Sequence, residues 1–292
     1  MLIYSLFGVS ILISMLSSIL NKRFQLGFQI DMIHFVCYNF FNALFASVYF
    51  FISTGFSIEM NMITFFYSVL FALIVFFNLV LGILALFRVT VSLSGITTTA
   101  GSIVLSALFG ILFLKEAGSL KLLLSVTFML AAILIPYCKL WNSGKPNSIS
   151  ICIALFFTSG AAVILQKLYT LTPGVCDANN FFLMTNLLLA GICGTILSIM
   201  LMVRPQERKK ILHAFSVRQL GNIAVRTLLS NIGSVITIIL LKNMNVSVYT
   251  IISSAVGILS GAVLSAWFFR EHMPRENWIA VLCSICAILV SP

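Results

Sequence analysis

The sequence predicts an all-α integral membrane protein whose ten transmembrane helices form a 5+5 inverted-topology repeat. Three observations lead there. The 292 residues are 61% hydrophobic and only 8% charged, with a mean hydropathy of +1.14, far from the composition of soluble domains. Apolar stretches long enough to cross a bilayer recur along the whole chain. The second half of the chain also repeats the first.

Ten apolar windows of about 20 residues give the predicted spans. They are 2–20, 34–52, 62–86, 90–113, 119–138, 149–167, 180–203, 219–241, 247–268 and 276–291. Turn-forming or charged residues separate them, as in Asn142-Ser143-Gly144-Lys145-Pro146. No basic residue precedes the first window and Asn21-Lys22-Arg23 follows it directly, so we expect a retained helix rather than a signal peptide.

The duplication is clearest where residues 98–116 align without a gap on residues 253–271, at an offset of 155. Both copies carry small residues four apart, which lie on one face of a helix and let neighbouring backbones approach. Thr98, Ser102, Ser106 and Gly110 correspond to Ser253, Gly257, Gly261 and Ser265. Close packing is therefore expected at these faces. Further upstream, Asn21-Lys22 recurs as Gln166-Lys167, at the ends of the first and sixth predicted spans, where lysines usually mark the membrane interface.

Each repeat holds five predicted spans, residues 1–140 in the first and 149–292 in the second, with 141–148 as the connecting loop. Because five is odd, the second repeat must enter the membrane from the opposite side. Inverted repeats of this kind are typical of secondary transporters, whose substrate site lies near the midplane between the halves.

The net charge of +10 would suit a nucleic-acid-binding protein only if the basic residues formed a soluble face, and they lie instead in short connections between spans. Connections after odd-numbered spans hold twelve: Lys22, Arg23, Arg88, Lys139, Lys145, Arg204, Arg208, Lys209, Lys210, Arg218, Arg270 and Arg275. Those after even-numbered spans hold four: Lys115, Lys121, Lys167 and Lys242. The imbalance predicts that odd connections are cytoplasmic and both termini are outside.

Arg226 is the only strongly charged residue well inside a predicted span, and intramembrane arginines normally face a polar cavity or a partner. It belongs to a polar stripe that covers an arc of about 80° on the eighth span. The stripe comprises Asn222, Arg226, Ser230, Gly233 and Thr237. The guanidinium could bind an anionic or carboxylate-bearing substrate. Snorkelling toward the preceding connection and a structural pair are the alternatives.

Tyr38 and Asn42 share a face of the second span, and Tyr67 and Asn78 share a face of the third. Aromatic walls with a few amides suit a small organic ligand in a mostly apolar pocket. Helix packing explains the same spacing.

The sequence lacks the residue patterns that other activities require. All seven acidic residues fall in connections or at span ends, which disfavours exchange of a proton for a cation at midmembrane. The three histidines show no metal-binding spacing, and there is no nucleophile elbow or phosphate-binding glycine loop. We expect no enzyme activity, no cofactor and no metal.

In the second half of each repeat, a small-residue helix runs into Leu112-Phe113-Leu114-Lys115-Glu116 or Trp267-Phe268-Phe269-Arg270-Glu271 and then a final apolar helix. This pattern, from Val91 to Glu116 and from Val246 to Glu271, resembles the drug/metabolite transporter superfamily, especially its EamA-like ten-helix branch. The resemblance extends over essentially the whole chain. It implies an alternating-access carrier with a central cavity between the repeats, and it implies cytoplasmic termini, opposite to the charge count.

The expected function is transport of a small organic solute, an amino acid or another zwitterionic or anionic metabolite. The alternatives left open are an exporter or flippase for drugs or amphipathic lipids and, from another class, a membrane enzyme or a non-transporting structural protein. Expected partners are the small-molecule substrate and the lipid bilayer, with no nucleic acid. A homodimer is left open. The expected location is the plasma (inner) membrane, as a multi-pass protein.

Overall fold

A computed structural model describes residues 6, 8–10, 12–13, 16, 32–88, 91–115, 120–141, 147–203, 217–263 and 275–290. These residues are almost entirely helical and none of them lies in a strand, which confirms the all-α prediction. Five of the described helices are long and apolar enough to cross a membrane. They cover Ile33–Ser53, Met62–Gly82, Ser150–Leu171, Ala178–Val203 and Gln219–Asn243.

Each described helix lies on one of the predicted spans from the second to the tenth. The helices are α1 (Met32–Ser53), α2 (Met62–Arg88), α3 (Val91–Leu112), α4 (Leu120–Trp141), α5 (Asn147–Leu171), α6 (Ala178–Val203), α7 (Val217–Asn243), α8 (Val246–Val263) and α9 (Arg275–Val290). The first span, 2–20, lies mostly outside the described residues, and those of it that are described are helical.

Local chemistry explains where α1 ends. Gly55 adopts a left-handed conformation with φ of 66°, which a residue without a Cβ enters at little cost. Its N–H donates to the carbonyl of Ile52 at 3.0 Å, and the N–H of Phe56 donates to the carbonyl of Phe51 at 3.1 Å. This is the Schellman arrangement, and it satisfies carbonyls that the helix end leaves without partners.

The chain forms two compact units, and each unit draws on both sequence repeats. Unit A comprises Leu12–Leu73 and Thr172–Thr237, and unit B comprises Met1–Ile11, Ile74–Leu171 and Ile238–Pro292. The division falls inside α2 and inside α7. The repeat boundaries, 1–140 and 149–292, are therefore boundaries of the sequence duplication and remain a prediction.

In unit A, α1 packs along α6 and contacts α7. Ile33 and Cys37 of α1 are buried against Ile223 of α7. Farther along α1, the ring of Phe50 stacks on that of Phe182 with centroids 5.4 Å apart. These apolar contacts fix which face of α1 is turned toward α7.

In unit B, α3 packs against α5 and α8, and α4 packs against α9. Buried side chains that include Ile103, Met129 and Ile251 form its apolar core. The Ser106 hydroxyl donates to Thr250 Oγ1 at 2.9 Å, and this contact joins α3 to α8, the helices on which the two copies of the duplicated segment begin. Ser125 donates to the carbonyl of Ala287 and joins α4 to α9.

The structure agrees only in part with the close packing expected at the small-residue faces. Ser106 and Gly110 are buried, as expected for close packing. At Gly257 the expectation is wrong, because this glycine is exposed and an added Cβ meets nothing within 4 Å. The buried face of α8 carries Ile251 and Ala255, and Gly257 lies about 200° around the helix from Ala255. The packing around Gly261 lies outside what the structure describes.

A glycine pair that the duplication does not mark makes a closer contact. A Cβ at Gly101 of α3 would lie 2.1 Å from the carbonyl oxygen of Phe156 in α5. A Cβ at Gly160 would lie 2.6 Å from the carbonyl oxygen of Gly101. The two helices therefore touch backbone to backbone at this point.

Candidate functional site

The predicted polar stripe lies on α7, one of the five helices apolar enough to cross a membrane. Asn222 and Ser230 are exposed, and Arg226 between them is half-buried. Arg226 is seven residues beyond Gln219, where the apolar segment begins, or about 10 Å along the helix axis. Polar groups at that depth need water or a polar partner if the helix crosses a bilayer.

The guanidinium of Arg226 lies over an aromatic ring of α1. Its Cζ is 5.2 Å from the centroid of the Tyr38 ring, within the range of a cation–π interaction. Its Nε is buried and has no hydrogen-bond acceptor among the described residues. Among the acidic residues whose exposure the structure describes, Glu59 and Asp177, both are exposed. The contact that the structure shows for the half-buried cation is thus with a ring.

One turn along α1, the side chain of Asn42 contacts Thr227, the residue that follows Arg226. The Thr227 hydroxyl lies 2.7 Å from Asn42 Oδ1 and 2.7 Å from the carbonyl of Ile223. A hydroxyl has one proton and cannot donate fully to both oxygens. Turning the Asn42 amide by 180° lets Nδ2 donate to Thr227 while Thr227 donates to Ile223, and amide orientation is assigned from such networks. Either orientation ties α1 to α7.

The surroundings of this pair are apolar. Ile33, Cys37 and Ile223 are 1–2% exposed and pack with Phe41 and Phe45. Low polarity strengthens any electrostatic interaction of the guanidinium and raises the cost of leaving it without one. The fold therefore holds a positive charge and an open N–H donor in an apolar setting.

The other two predicted residues have partners elsewhere. The Tyr67 hydroxyl is 2.8 Å from Thr172 Oγ1 and connects α2 to the turn after α5. Asn78 Nδ2 donates to Thr158 Oγ1 at 3.2 Å, and both residues belong to unit B. Such helix-to-helix bonds are what the packing interpretation predicts. The structure thus brings Arg226, Tyr38 and Asn42 together through α1 and α7 and gives Tyr67 and Asn78 separate contacts.

The sequence did not single out three polar residues of α7. Thr227 is described above. Gln219 Oε1 and Asn231 Nδ2 are buried and have no hydrogen-bond partner among the described residues. Gln219 lies seven residues before Arg226 and so on the same face, a periodicity that could have revealed it. Orphaned buried polar atoms are rare in folded proteins and mark places where a ligand or water supplies the partner.

Within the described ranges, no group of three or more His, Cys, Asp and Glu side chains could hold a metal ion. Binding groups near Arg226 are a ring, a hydroxyl and an amide.

No protein-family model and no curated protein matches the sequence. A solved crystal structure, described only as that of a protein, is similar to this chain with a TM-score of 0.71. The match covers 98% of this chain and 94% of the other at 12% sequence identity. At this identity the likeness shows a shared fold and carries nothing about activity.

Proposed function

We propose that this chain is a secondary transporter of the drug/metabolite type, with ten transmembrane helices in a 5+5 inverted repeat. It moves a small anionic or zwitterionic organic solute across the plasma membrane by alternating access. The proposal is supported by the five membrane-length helices and by the internal duplication. The observation that carries it is the Arg226 guanidinium, which lies on Tyr38 with its Nε buried and open.

The energetics of Arg226 favour an anionic ligand. A cation–π contact contributes about 0.5–2 kcal/mol, whereas desolvating an unpaired ion costs several kcal/mol. Tyr38 alone therefore does not offset the burial of the charge. A carboxylate or phosphate would supply the missing acceptors, and a guanidinium can hold either one through two parallel hydrogen bonds.

The neighbouring groups suit binding better than catalysis. A phenol ring suits contact with a solute, and neither it nor the mutually bonded Thr227 hydroxyl and Asn42 amide is a general base or an activated nucleophile. Transport requires a site of this kind, because the solute must be bound and released unchanged.

Solute uptake into proteoliposomes tests the proposal. The panel contains radiolabelled alanine, glutamate, succinate and glucose 6-phosphate, which represent a zwitterion, an anionic amino acid, a dicarboxylate and a phosphate ester. We expect the wild type to take up at least one of them. Arg226→Ala should lower affinity by about 10- to 100-fold, the factor for a lost hydrogen bond between charged groups. Arg226→Lys should restore uptake only in part, because an ammonium lacks the planar fork.

Lys242→Ala is the matched control, since it removes the same charge from an exposed position near the end of the same helix. It should transport like the wild type. Detergent thermostability separates the alternatives for Arg226: loss of the folded state in Arg226→Ala indicates a structural pair. Unchanged affinity and rate in folded Arg226→Ala would remove the anion-binding role and favour an exporter of apolar molecules.

A further inference from the structure

Lys167 lies inside α5, four residues before the helix ends at Leu171. The sequence placed the end of the sixth span at this lysine, and that end is wrong because the helix continues for another turn. The expected position at the membrane interface stays a prediction. The side chain is 6% exposed. Its Nζ donates to the carbonyl of Leu241 at 2.6 Å and to the carbonyl of Met244 at 2.8 Å.

One of these carbonyls lies in the last turn of α7 and the other in the break between α7 and α8. Helix α7 ends at Asn243 and α8 begins at Val246, so only Met244 and Asn245 lie between them. The last carbonyls of a helix have no partner within it and form the negative end of its dipole. Leu241 is fully buried, which removes water as an alternative donor to its carbonyl, and Met244 is half-buried. The ammonium supplies the donors that the break lacks.

The break also sets where α8 begins. The N–H of Tyr249 donates to the carbonyl of Asn245 at 3.0 Å and closes the first turn of α8. The next residue, Thr250, accepts the hydrogen bond from Ser106 of α3. The carbonyls that the ammonium holds, the break and the α8 residue that bonds to α3 therefore all lie within residues 241–250 of unit B.

We infer that Lys167 is a positioning residue for transport: its ammonium holds the α7–α8 break and thereby fixes the direction in which α8 leaves α7. The inference rests on the proposed function. A lysine suits this task because its three donors sit on a flexible stem and can hold two carbonyls at once. A backbone N–H, which would complete a continuous helix, is fixed in direction.

The test compares Lys167→Met, which keeps the length of the stem and removes the donors, with Lys167→Arg, which keeps them. Lys242→Met is the control, because Lys242 is exposed, adjoins Leu241 in sequence and loses the same charge. Two properties are measured on protein that elutes as a single folded species. The first is hydrogen exchange at the amides of residues 245–250. The second is exchange of the panel solute with the highest wild-type uptake, resolved into maximal rate and KM.

Lys167→Met should speed amide exchange and lower the maximal rate by at least about tenfold, the factor for losing one hydrogen bond to a charged group. KM should stay close to the wild-type value, because Arg226 is intact. Lys167→Arg should recover part of the rate, and Lys242→Met should match the wild type in both measurements. If Lys167 had only a structural role, Lys167→Met would alter stability and leave the rate per folded molecule unchanged.

Folded Lys167→Met with wild-type amide exchange and wild-type rate overturns the inference. If Lys167→Met does not fold, Lys167→Arg decides: a lower rate at constant KM supports the positioning role, and an unchanged rate contradicts it. Amide exchange does not depend on solute movement. A wild-type chain that moves no panel solute would therefore contradict the proposed function, while the hold of Lys167 on the break would still be measured.

Discussion

The guanidinium carbon of Arg226 lies 5.2 Å from the centre of the Tyr38 ring, and this contact joins α7 to α1 inside unit A. The ring partly compensates the charge of the half-buried cation. It also limits the orientation of the guanidinium, since the planar group must stay over the ring. Tyr38 therefore limits the directions in which the guanidinium N–H groups point.

Replacing Tyr38 by leucine should weaken binding of the transported solute by about 2- to 30-fold, which corresponds to a cation–π contribution of 0.5–2 kcal/mol. Tyr38→Phe keeps the ring and should stay within about threefold of the wild type. KM in the proteoliposome assay, or the solute concentration that half-saturates the thermal shift, measures the change.

Phe66→Leu provides the control, because it removes an exposed ring of α2 by the same kind of substitution. It should bind like the wild type. If Tyr38→Phe loses as much affinity as Tyr38→Leu, the hydroxyl rather than the ring is the contributing group, and the cation–π account fails.

The bond between Thr227 and Asn42 should appear as an energetic coupling between α7 and α1. Thr227→Val and Asn42→Leu are close in shape to the original residues, and their double-mutant cycle should give a coupling of about 0.5–1.5 kcal/mol in unfolding free energy. Thermal or denaturant unfolding in detergent measures it.

A cycle between Asn42→Leu and Thr127→Val serves as the comparison, since the exposed Thr127 hydroxyl donates within its own helix to Leu123. These two changes should be additive within about 0.5 kcal/mol. Additivity for Thr227 and Asn42 as well would mean that their bond stabilises neither helix.

Helical periodicity was enough to single out residues that the structure brings together between α1 and α7. Arg226, Tyr38 and Asn42 stand out because an isolated charge and amphipathic residues at four-residue spacing are visible in a single helix. Their meeting was not predictable, because the face of α1 that turns toward α7 is fixed by buried contacts such as Ile33 with Ile223. Thr227 was missed for the same reason.

The wrong predictions have a physical cause as well. A lysine at the edge of a hydropathy window looks like the end of a helix, and only the bonds of Lys167 to two carbonyls reveal why the helix can continue past it. The duplication indicates that Gly257 lies on a small-residue face and does not indicate which face of α8 is covered. Both errors concern tertiary contacts, which a local pattern does not encode.

Gly101→Ala should destabilise the protein by roughly 1–3 kcal/mol, a typical cost of overpacking. The new Cβ would lie 2.1 Å from a backbone oxygen of α5, so the two helices must separate. Gly257→Ala meets nothing within 4 Å and should be neutral or up to about 1 kcal/mol stabilising through helix propensity. Thermal unfolding in detergent compares them, and similar melting temperatures would contradict the close contact of α3 with α5.

The position of Lys167 changes the charge count from which the orientation is predicted. Twelve basic residues lie in connections after odd-numbered spans and four in connections after even-numbered spans. One of those four, Lys167, is buried within α5. Without it the count is twelve to three. Positive residues that flank spans favour the cytoplasmic side, so the connection that contains Lys209 is expected inside and the one that contains Glu59 outside.

Single cysteines at positions 59 and 209, each in a cysteine-free background, test this orientation in intact cells. Glu59 is exposed in the turn between α1 and α2, so a cysteine there should react with a membrane-impermeant maleimide. A cysteine in place of Lys209 should react only after the membrane is permeabilised. The permeabilised sample is the control for both, because it shows that each thiol can be labelled at all. The reverse pattern would place both termini in the cytoplasm, as the resemblance to the drug/metabolite transporters implies, and the basic residues would then not determine the topology of this chain.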